Sequence, residues 1–415
     1  MMQHRVILTA TSGRISGVDI FSIHLVRGLL ERGIDARIVL TMPDITPPDP
    51  QPFPPDIPLD VLPVHRRMSW RKRWQHLQAY LQAKAPCIYI PNYDWNHSGI
   101  SPLLPPEVVI VGIVHSDDPR HYEHVVRLGA YWNLIIAVSQ TIARRTLELA
   151  PEFKNHLRQI PYGVPIPDSL PSSPFRHRPD ILRVVYAGRL VQHQKRVLDL
   201  PRIVQSAHKQ AIPLELTIIG DGEDRSALLN ASAEWMLKRH IRYLGPLRND
   251  LVLRVFAQSD VFILPSEFEG LPVSLLEAMG QGCVPIVSDV RSGIPELIQE
   301  GSNGFRLPVG DTEGFVRALK LLHEDISLRQ SMSEQAYRQV REGGYQINDM
   351  IEHYLMAFQQ AITHSHTCTR PHRHLLPPPE LHSEATWRGL LPRPIRALGF
   401  SAKQFLMEIS PRHPR

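Results

Sequence analysis

Short apolar runs of strand length alternate with segments of helical period along most of this 415-residue chain, and that alternation limits the fold more than any single motif. "RVILTA" (residues 5–10) is a buried-strand run. After a Gly/Ser loop, "VDIFSIHLVRGLLERG" carries apolar residues at helical spacing and stops at Gly33, and "DARIVL" begins the next strand. Strand, helix and strand in that order make a crossover unit, which requires a parallel sheet. Residues 42–63 follow, too rich in proline for a helix or a central strand, and the pattern resumes with "CIYIPN", "VVIVGIVH" and "LIIAVS". A polar stretch, "RQIPYGVPIPDSLPSSPFRHRPD", then interrupts it. Beyond, "LRVVYAGRL", "LELTIIGDG", "HIRYLGPL", "DVFILPS", "VPIVSD" and "NGFRLPVGD" read as strands or strand exits with helices between them. The expectation is two α/β domains, residues 1–165 and 180–345, then a helix over 346–363 and a His-, Pro- and Arg-rich, loosely ordered tail over 364–415. The carboxyl ends of two such sheets frame a cleft, the usual ligand site of open α/β sheets.

Charge narrows the partners. The net charge is +5, with 46 basic and 41 acidic residues spread along the chain. That permits an anionic substrate or an anionic membrane surface, but it is no nucleic-acid signature. Cys87, Cys283 and Cys368 are too few and too scattered for a disulfide framework or a zinc site. "MMQHRVILTATSG" runs straight into a strand, and no apolar run approaches the roughly 20 residues of a membrane span, so a cytoplasmic protein is expected.

The segment "FEGLPVSLLEAM" (268–279) holds two carboxylates, Glu269 in a loop and Glu277 within an apolar run. Pro272 suits the first helical position, Leu275, Leu276, Ala278 and Met279 give the buried face, and "GQG" stops the helix. The amides of Leu271 to Ser274 then fall between the carboxylates, at a helix start that favours anions. Hydroxyls at both ends and phosphate between them is the layout of a nucleotide sugar. A salt-bridged surface pair fits the segment equally well.

Other positions carry weaker signals. Gly188 takes "VVYAGRL" out of a strand and sets Arg189 at the sheet edge, and Lys195 follows where a helix begins. Two cations there suit a diphosphate, or ordinary surface basicity, and Arg196 beside Lys195 leaves open which side chain points inward. Gly220 and Gly222 lack the third glycine of a dinucleotide fingerprint and read as a tight turn. His115 ends a strand, where it fits a sugar contact or a structural role. Asp117 and Asp118 lack companion ligands for a metal.

Taken in order and spacing, "AGRLVQHQK", "LTIIGDGEDR", "IRYLGPL", "DVFILPSEFEGLPVSLLEAMGQGCVPIVSDVRSGIPELI" and "NGFRLPVGD" resemble the retaining, nucleotide-sugar-dependent glycosyltransferases of family 4, over roughly residues 5–362. The resemblance implies the GT-B fold, two Rossmann-like domains facing across a cleft, the first for acceptor and the second for donor. It implies that Arg189 and Lys195 hold the donor diphosphate, that Glu277 binds the ribose hydroxyls and that Glu269 touches the transferred sugar. The amides of Gly270, Leu271 and Val273, with Pro272 among them, would surround the sugar and β-phosphate. Gly17 would bring the first domain's loop to the diphosphate, as a residue without Cβ, and His115 would lie beside the reacting sugar. No cofactor or metal is implied, the co-substrate being a UDP- or GDP-sugar and the acceptor a glycan, a lipid-linked sugar or a small molecule. Ser16-Gly17 departs from the family's double glycine.

The alternatives are a GT-B phosphorylase or epimerase, or a non-catalytic partner subunit that binds a sugar nucleotide. Arg189, Lys195, Glu269 and Glu277 together argue against the last. In the tail, "WRGLLPRPIRALGFSAKQFLMEI" mixes apolar and basic residues in a way that suits peripheral contact with an anionic membrane, or a helix folded onto the protein itself.

Overall fold

A computed structural model describes residues 4–11, 16–42, 53–65, 67–92, 95–172, 178 and 180–367. The tail beyond Thr367, with the stretch read as membrane-facing, lies outside the described residues. Among the described residues no helix is long and apolar enough to cross a membrane.

The first sheet is built from β1 (Arg5–Ala10), β2 (Ala36–Leu40), β3 (Leu59–Val61), β4 (Cys87–Ile90), β5 (Val108–Val114), β6 (Leu134–Ala137) and β7 (Leu157–Gln159). Its spatial order is β3-β2-β1-β4-β5-β6-β7, every described pairing parallel. Helices α1 (Gly17–Glu31), α2 (Trp70–Ala83), α3 (Trp95–Ser98), α4 (Pro119–Leu128) and α5 (Gln140–Leu149) connect the strands. The apolar runs of β4, β5 and β6 are buried throughout, as strands covered on both faces must be.

The second sheet contains β8 (Leu182–Ala187), β9 (Leu214–Ile219), β10 (Ile241–Gly245), β11 (Val261–Leu264), β12 (Val284–Ser288) and β13 (Phe305–Leu307), in the order β10-β9-β8-β11-β12-β13. Its helices are α6 (Gln192–Lys195), α7 (Asp199–Lys209), α8 (Arg225–Leu237), α9 (Asn249–Ala257), α10 (Val273–Gly280), α11 (Ile294–Leu297), α12 (Thr312–Glu324) and α13 (Ile326–Glu342). Both orders place the strand reversal beside the domain's first strand, where an open sheet leaves a crevice.

Helix α14 (Ile347–Thr367) follows the second domain in sequence but packs on the first. Its buried Met350, Ile351, Tyr354, Ala357, Phe358 and Ala361 recur at helical spacing. It crosses α1 so closely that a Cβ on Gly28 would lie 2.6 Å from the Ile351 side chain. Arg32, the C-cap of α1, clasps Glu352 at 2.9 Å.

Two short strands escape the sequence reading. β3 lies inside the proline-rich stretch, and β7 uses Arg158 and Gln159, read there as the start of the connection between domains. Both are edge strands of three residues, too short to show periodicity. Helix α10 begins at Val273 with Pro272 as its N-cap, one residue later than expected. Helix α14 runs on to Thr367, past the expected boundary.

Candidate active site

Gly188 leaves β8 beneath Arg189. A Cβ on Gly220 would sit 2.0 Å from the Gly188 carbonyl oxygen, and one on Gly222 would sit 2.3 Å from that of Leu190. These two glycines are therefore what lets the β9 exit press against the Arg189 loop. The Leu190 amide donates to Asp221 O at 2.9 Å, Asp224 N donates to Leu190 O at 3.0 Å, and Gln192 N donates to the Asp224 carboxylate at 2.6 Å. The Tyr186 hydroxyl donates to Arg189 O at 2.9 Å. With its backbone fixed, Arg189 directs Nη2 to Gln194 Oε1 at 2.6 Å.

The adjacent cations separate cleanly. Lys195 turns inward, its Nζ 2.5 Å from Glu269 Oε1, both groups nearly buried. Arg196 turns outward to Asp199 at 2.8 Å and Glu267 at 2.9 Å. Arg196 also has φ 49°, a left-handed conformation costing a non-glycine residue about 1 kcal/mol. Glu267 N donates to Gln194 O at 2.8 Å, so residues 194–196 and 267–269 lie side by side.

Glu269 is 4% exposed, and its Oε1 accepts from both Lys195 and the Ser266 hydroxyl, the latter at 2.6 Å. Glu277 is 3% exposed on α10 and accepts from Asn249 Nδ2 at 2.6 Å. Burial pushes the Glu277 carboxyl up to about 7, partly offset by the Asn249 hydrogen bond. Between the two glutamates lie Gly270, Leu271 and the start of α10, all buried except Ser274, which is half-buried.

The first domain presents the start of α1. Gly17 is its first residue and faces Val273, first residue of α10, across the cleft; a Cβ on Gly17 would lie 3.7 Å from that side chain. Two helix N-termini, each a focus of partial positive charge, thus converge beside Arg189. Contacts within the protein leave room for a side chain at position 17, so it is not these contacts that call for glycine there. Ser16 caps α1, and Asp19 accepts from both the Ser16 amide (2.8 Å) and its hydroxyl (2.7 Å). Burial lifts the Asp19 carboxyl to about 6, against the pull of Ser16 and of Arg189.

His115 is buried and bonded through both ring nitrogens: Nδ1 to the Tyr162 hydroxyl at 2.5 Å and Nε2 to Asn92 Oδ1 at 3.2 Å. Asn92 Nδ2 donates to Thr9 O at 2.8 Å, which assigns Oδ1 as acceptor and the His115 proton to Nε2. Burial, with His121 adding to it, holds His115 well below its usual value, hence neutral. His115 meets the second domain through its backbone. Ser116 forms an antiparallel bridge with Gly270, Asp117 N donates to Glu269 O at 3.2 Å, and a Cβ on Gly270 would lie 1.9 Å from His115 O. Glycine at 270 is a packing requirement.

The structure therefore gathers Arg189, Lys195, Glu269, Gly270, Val273 and Glu277 at one cleft with Gly17 opposite, and sets the His115 ring behind the seam. The sequence reading missed Asn249, Ser266, Gln194 and Asp19. Only Asp19 left a local trace, as the acidic third residue after Ser16 in an N-capping pattern.

Residues 173–339 match the family model described as glycosyl transferases group 1. The chain is 33% identical to the amylovoran biosynthesis glycosyltransferase AmsK of Erwinia amylovora over 156 residues, 36% of this chain and 37% of that one. The match spans less than half the length of such curated relatives, 35–38% for AmsK and two others. Among solved structures, sucrose-phosphate synthase of Thermosynechococcus elongatus superposes with TM-score 0.70 at 16% identity, covering 87% of this chain and 100% of that one. The pneumococcal O-GlcNAc transferase GtfA, solved with UDP and GlcNAc, gives 0.68 at 12% identity over 87% of this chain and all of its own. The architecture of two parallel-sheet domains is thus the GT-B fold.

Proposed function

We propose that this chain is a retaining glycosyltransferase that moves a sugar from a nucleoside diphosphate donor to a hydroxyl of a glycan, lipid-linked or small-molecule acceptor. One observation carries the reading: two cations, exposed Arg189 and nearly buried Lys195, and two buried carboxylates flank a helix N-terminus in a single cleft. Arg189 and Lys195 are spaced to take a diphosphate, Glu277 to accept from ribose hydroxyls and Glu269 to accept from the sugar. The match of residues 173–339 to glycosyl transferases group 1 covers all four.

In the proposed step the bond from the anomeric carbon to the diphosphate oxygen breaks. The bond to the acceptor oxygen forms on the same face, and the acceptor proton passes to the leaving phosphate. Charge grows on the diphosphate as this proceeds. Arg189, Lys195 and the α10 amides stabilise it in a site from which the seam excludes water. Arg189 must exchange Gln194, and Lys195 must share Glu269, when the diphosphate enters. Neutral His115 then supports the loop next to the sugar rather than carrying a proton. UDP- and GDP-sugars are the donors to try first, the GtfA complex with UDP favouring the former.

The test is calorimetric binding of UDP, GDP, ADP and their sugar conjugates to wild type, Arg189→Ala and Glu277→Ala. Binding of one nucleotide series, weakened at least ~10-fold in both variants, is expected from the loss of charge-assisted contacts. No binding, or equal binding in all three proteins, rejects the proposal.

A further inference from the structure

Glu296 belongs to the "SGIPELI" stretch and has no part in the donor site above. Its carboxylate reaches from the second domain onto the first, where Oε2 accepts from Gln140 N at 3.0 Å and Oε1 from Thr141 N at 2.8 Å. Those two amides open α5, a helix of ten residues whose own cap, Ser139, already satisfies Ile142 N. Glu296 therefore completes the capping of a helix in the other domain, with the charge that a helix N-terminus favours.

Neighbouring contacts lead from this cap to the site. Gly293, three residues earlier, donates its amide to Gly270 O at 2.6 Å, and a Cβ on Gly293 would crowd Leu271 at 2.7 Å and Ser139 at 3.2 Å. Gly270 in turn bridges Ser116, and Arg291 pairs with Asp117 at 2.8 Å. One short segment, residues 291–296, thus touches both the start of α5 and the loop that carries Glu269.

We infer that Glu296 is a positioning residue: by capping α5 across the seam it sets the first domain's carboxyl edge over the Glu269–Gly270 loop. The inference rests on the proposed transferase reading for its consequence in turnover, but its structural content does not depend on that reading. Arg189, Lys195 and Glu277 all belong to the second domain, so a loosened seam leaves nucleotide binding in place and slows transfer.

The experiment uses the full chain as wild type, Glu296→Ala and Glu296→Gln, with amide hydrogen exchange at Gln140 and Thr141, nucleotide-sugar affinity by calorimetry, and kcat for transfer. In Glu296→Ala we expect exchange at both amides to rise about 10-fold or more, kcat to fall about 10-fold and donor affinity to stay within about 2-fold. Glu296→Gln, which keeps acceptor capacity on one oxygen, falls between. Unchanged exchange in Glu296→Ala overturns the inference, as does donor affinity that falls in step with kcat. A wild type that binds no nucleotide sugar overturns the transferase reading instead, and the exchange result still decides this one.

Discussion

The two carboxyl edges that face each other share a strand order and almost nothing else. At the first sheet's edge a buried cluster of Thr, Asn, His and Tyr side chains is bonded mainly within itself, with the carboxylates of Asp19 and Asp117 at its margin. Thr41 meets His97 at 2.6 Å, His97 meets Asn92 O at 3.1 Å, and Asn92 joins Thr9 and His115, which joins Tyr162. At the second sheet's edge the residues are charged, and among the described residues each is held by one or two side-chain contacts: Arg189 by Gln194, Lys195 by Glu269, Glu277 by Asn249. A network of hydroxyl, amide and imidazole groups that satisfies itself is rigid and has little to offer a charged ligand, whereas charged groups with few partners gain most when a ligand supplies the rest. The fold supplies two equivalent places for a site, and side-chain chemistry decides which becomes the donor's.

The sharpest way to break this comparison is to remove a cation. Arg189→Ala or Lys195→Ala is expected to lower kcat/KM for transfer by about 10³-fold, the scale of losing one stabilising group at a developing anion. Lys195→Ala also strands Glu269, so its donor-free Tm should fall while that of Arg189→Ala changes little.

Next comes Glu277→Gln, expected to weaken nucleotide binding about 10- to 100-fold in calorimetry, as a charge-assisted bond becomes a neutral one. Stability should move the other way. With the folded carboxyl at about 7 against an ordinary 4.5, the native protein holds a proton that the unfolded chain releases. This one group therefore contributes a decline in donor-free stability of up to roughly 3 kcal/mol as pH rises from about 4.5 to 7. Thermal unfolding curves should show it as a gain of Glu277→Gln over wild type that grows across that pH range.

A smaller effect is expected on the neutral side. Tyr162→Phe removes the hydroxyl bonded to His115 Nδ1 and should cost about 1–2 kcal/mol in chemical unfolding, with nucleotide affinity unchanged. His115 and His24 both titrate below their usual value, His24 at about 4. The unfolded chain takes up protons that these two imidazoles refuse, so they contribute the opposite slope, a loss of stability as pH falls below about 6.5 that should be steeper in Glu277→Gln than in wild type. Smallest of all is Gly17→Ala, for which no change in Tm is expected because the position has room and ordinary backbone angles. A loss of nucleotide affinity without a loss of Tm would sharpen the comparison, showing that the first edge meets the donor through α1 alone.

What the sequence showed and hid follows the range of each interaction. The strands β1, β4, β5, β6, β8, β9, β11 and β12 announce themselves as apolar runs because each is covered on both faces. The glutamates and the helix between them are readable because their spacing is set within one turn-and-helix unit. Asn249 and Glu277 are 28 residues apart, His115 and Tyr162 47, and Glu296 and Gln140 156, and no local pattern marks such pairs. The Lys195-Arg196 ambiguity shows the same limit. Only the carboxylates at 269, 267 and 199, brought in by other elements, decide which cation faces the cleft.

The return of α14 to the first domain has a consequence for how the protein is made. Its apolar stripe covers α1 and the β5–β6 face, yet it is synthesised only after the whole second domain. The first sheet therefore emerges from the ribosome with one face lacking part of its cover. At 5–20 residues per second the wait from residue 166 to residue 347 is roughly 10–40 s. Over that interval Phe21 lacks the cover that Tyr354 of α14 gives it in the folded protein. Truncation before residue 347 should trap it there, as an aggregation-prone intermediate rather than a smaller enzyme.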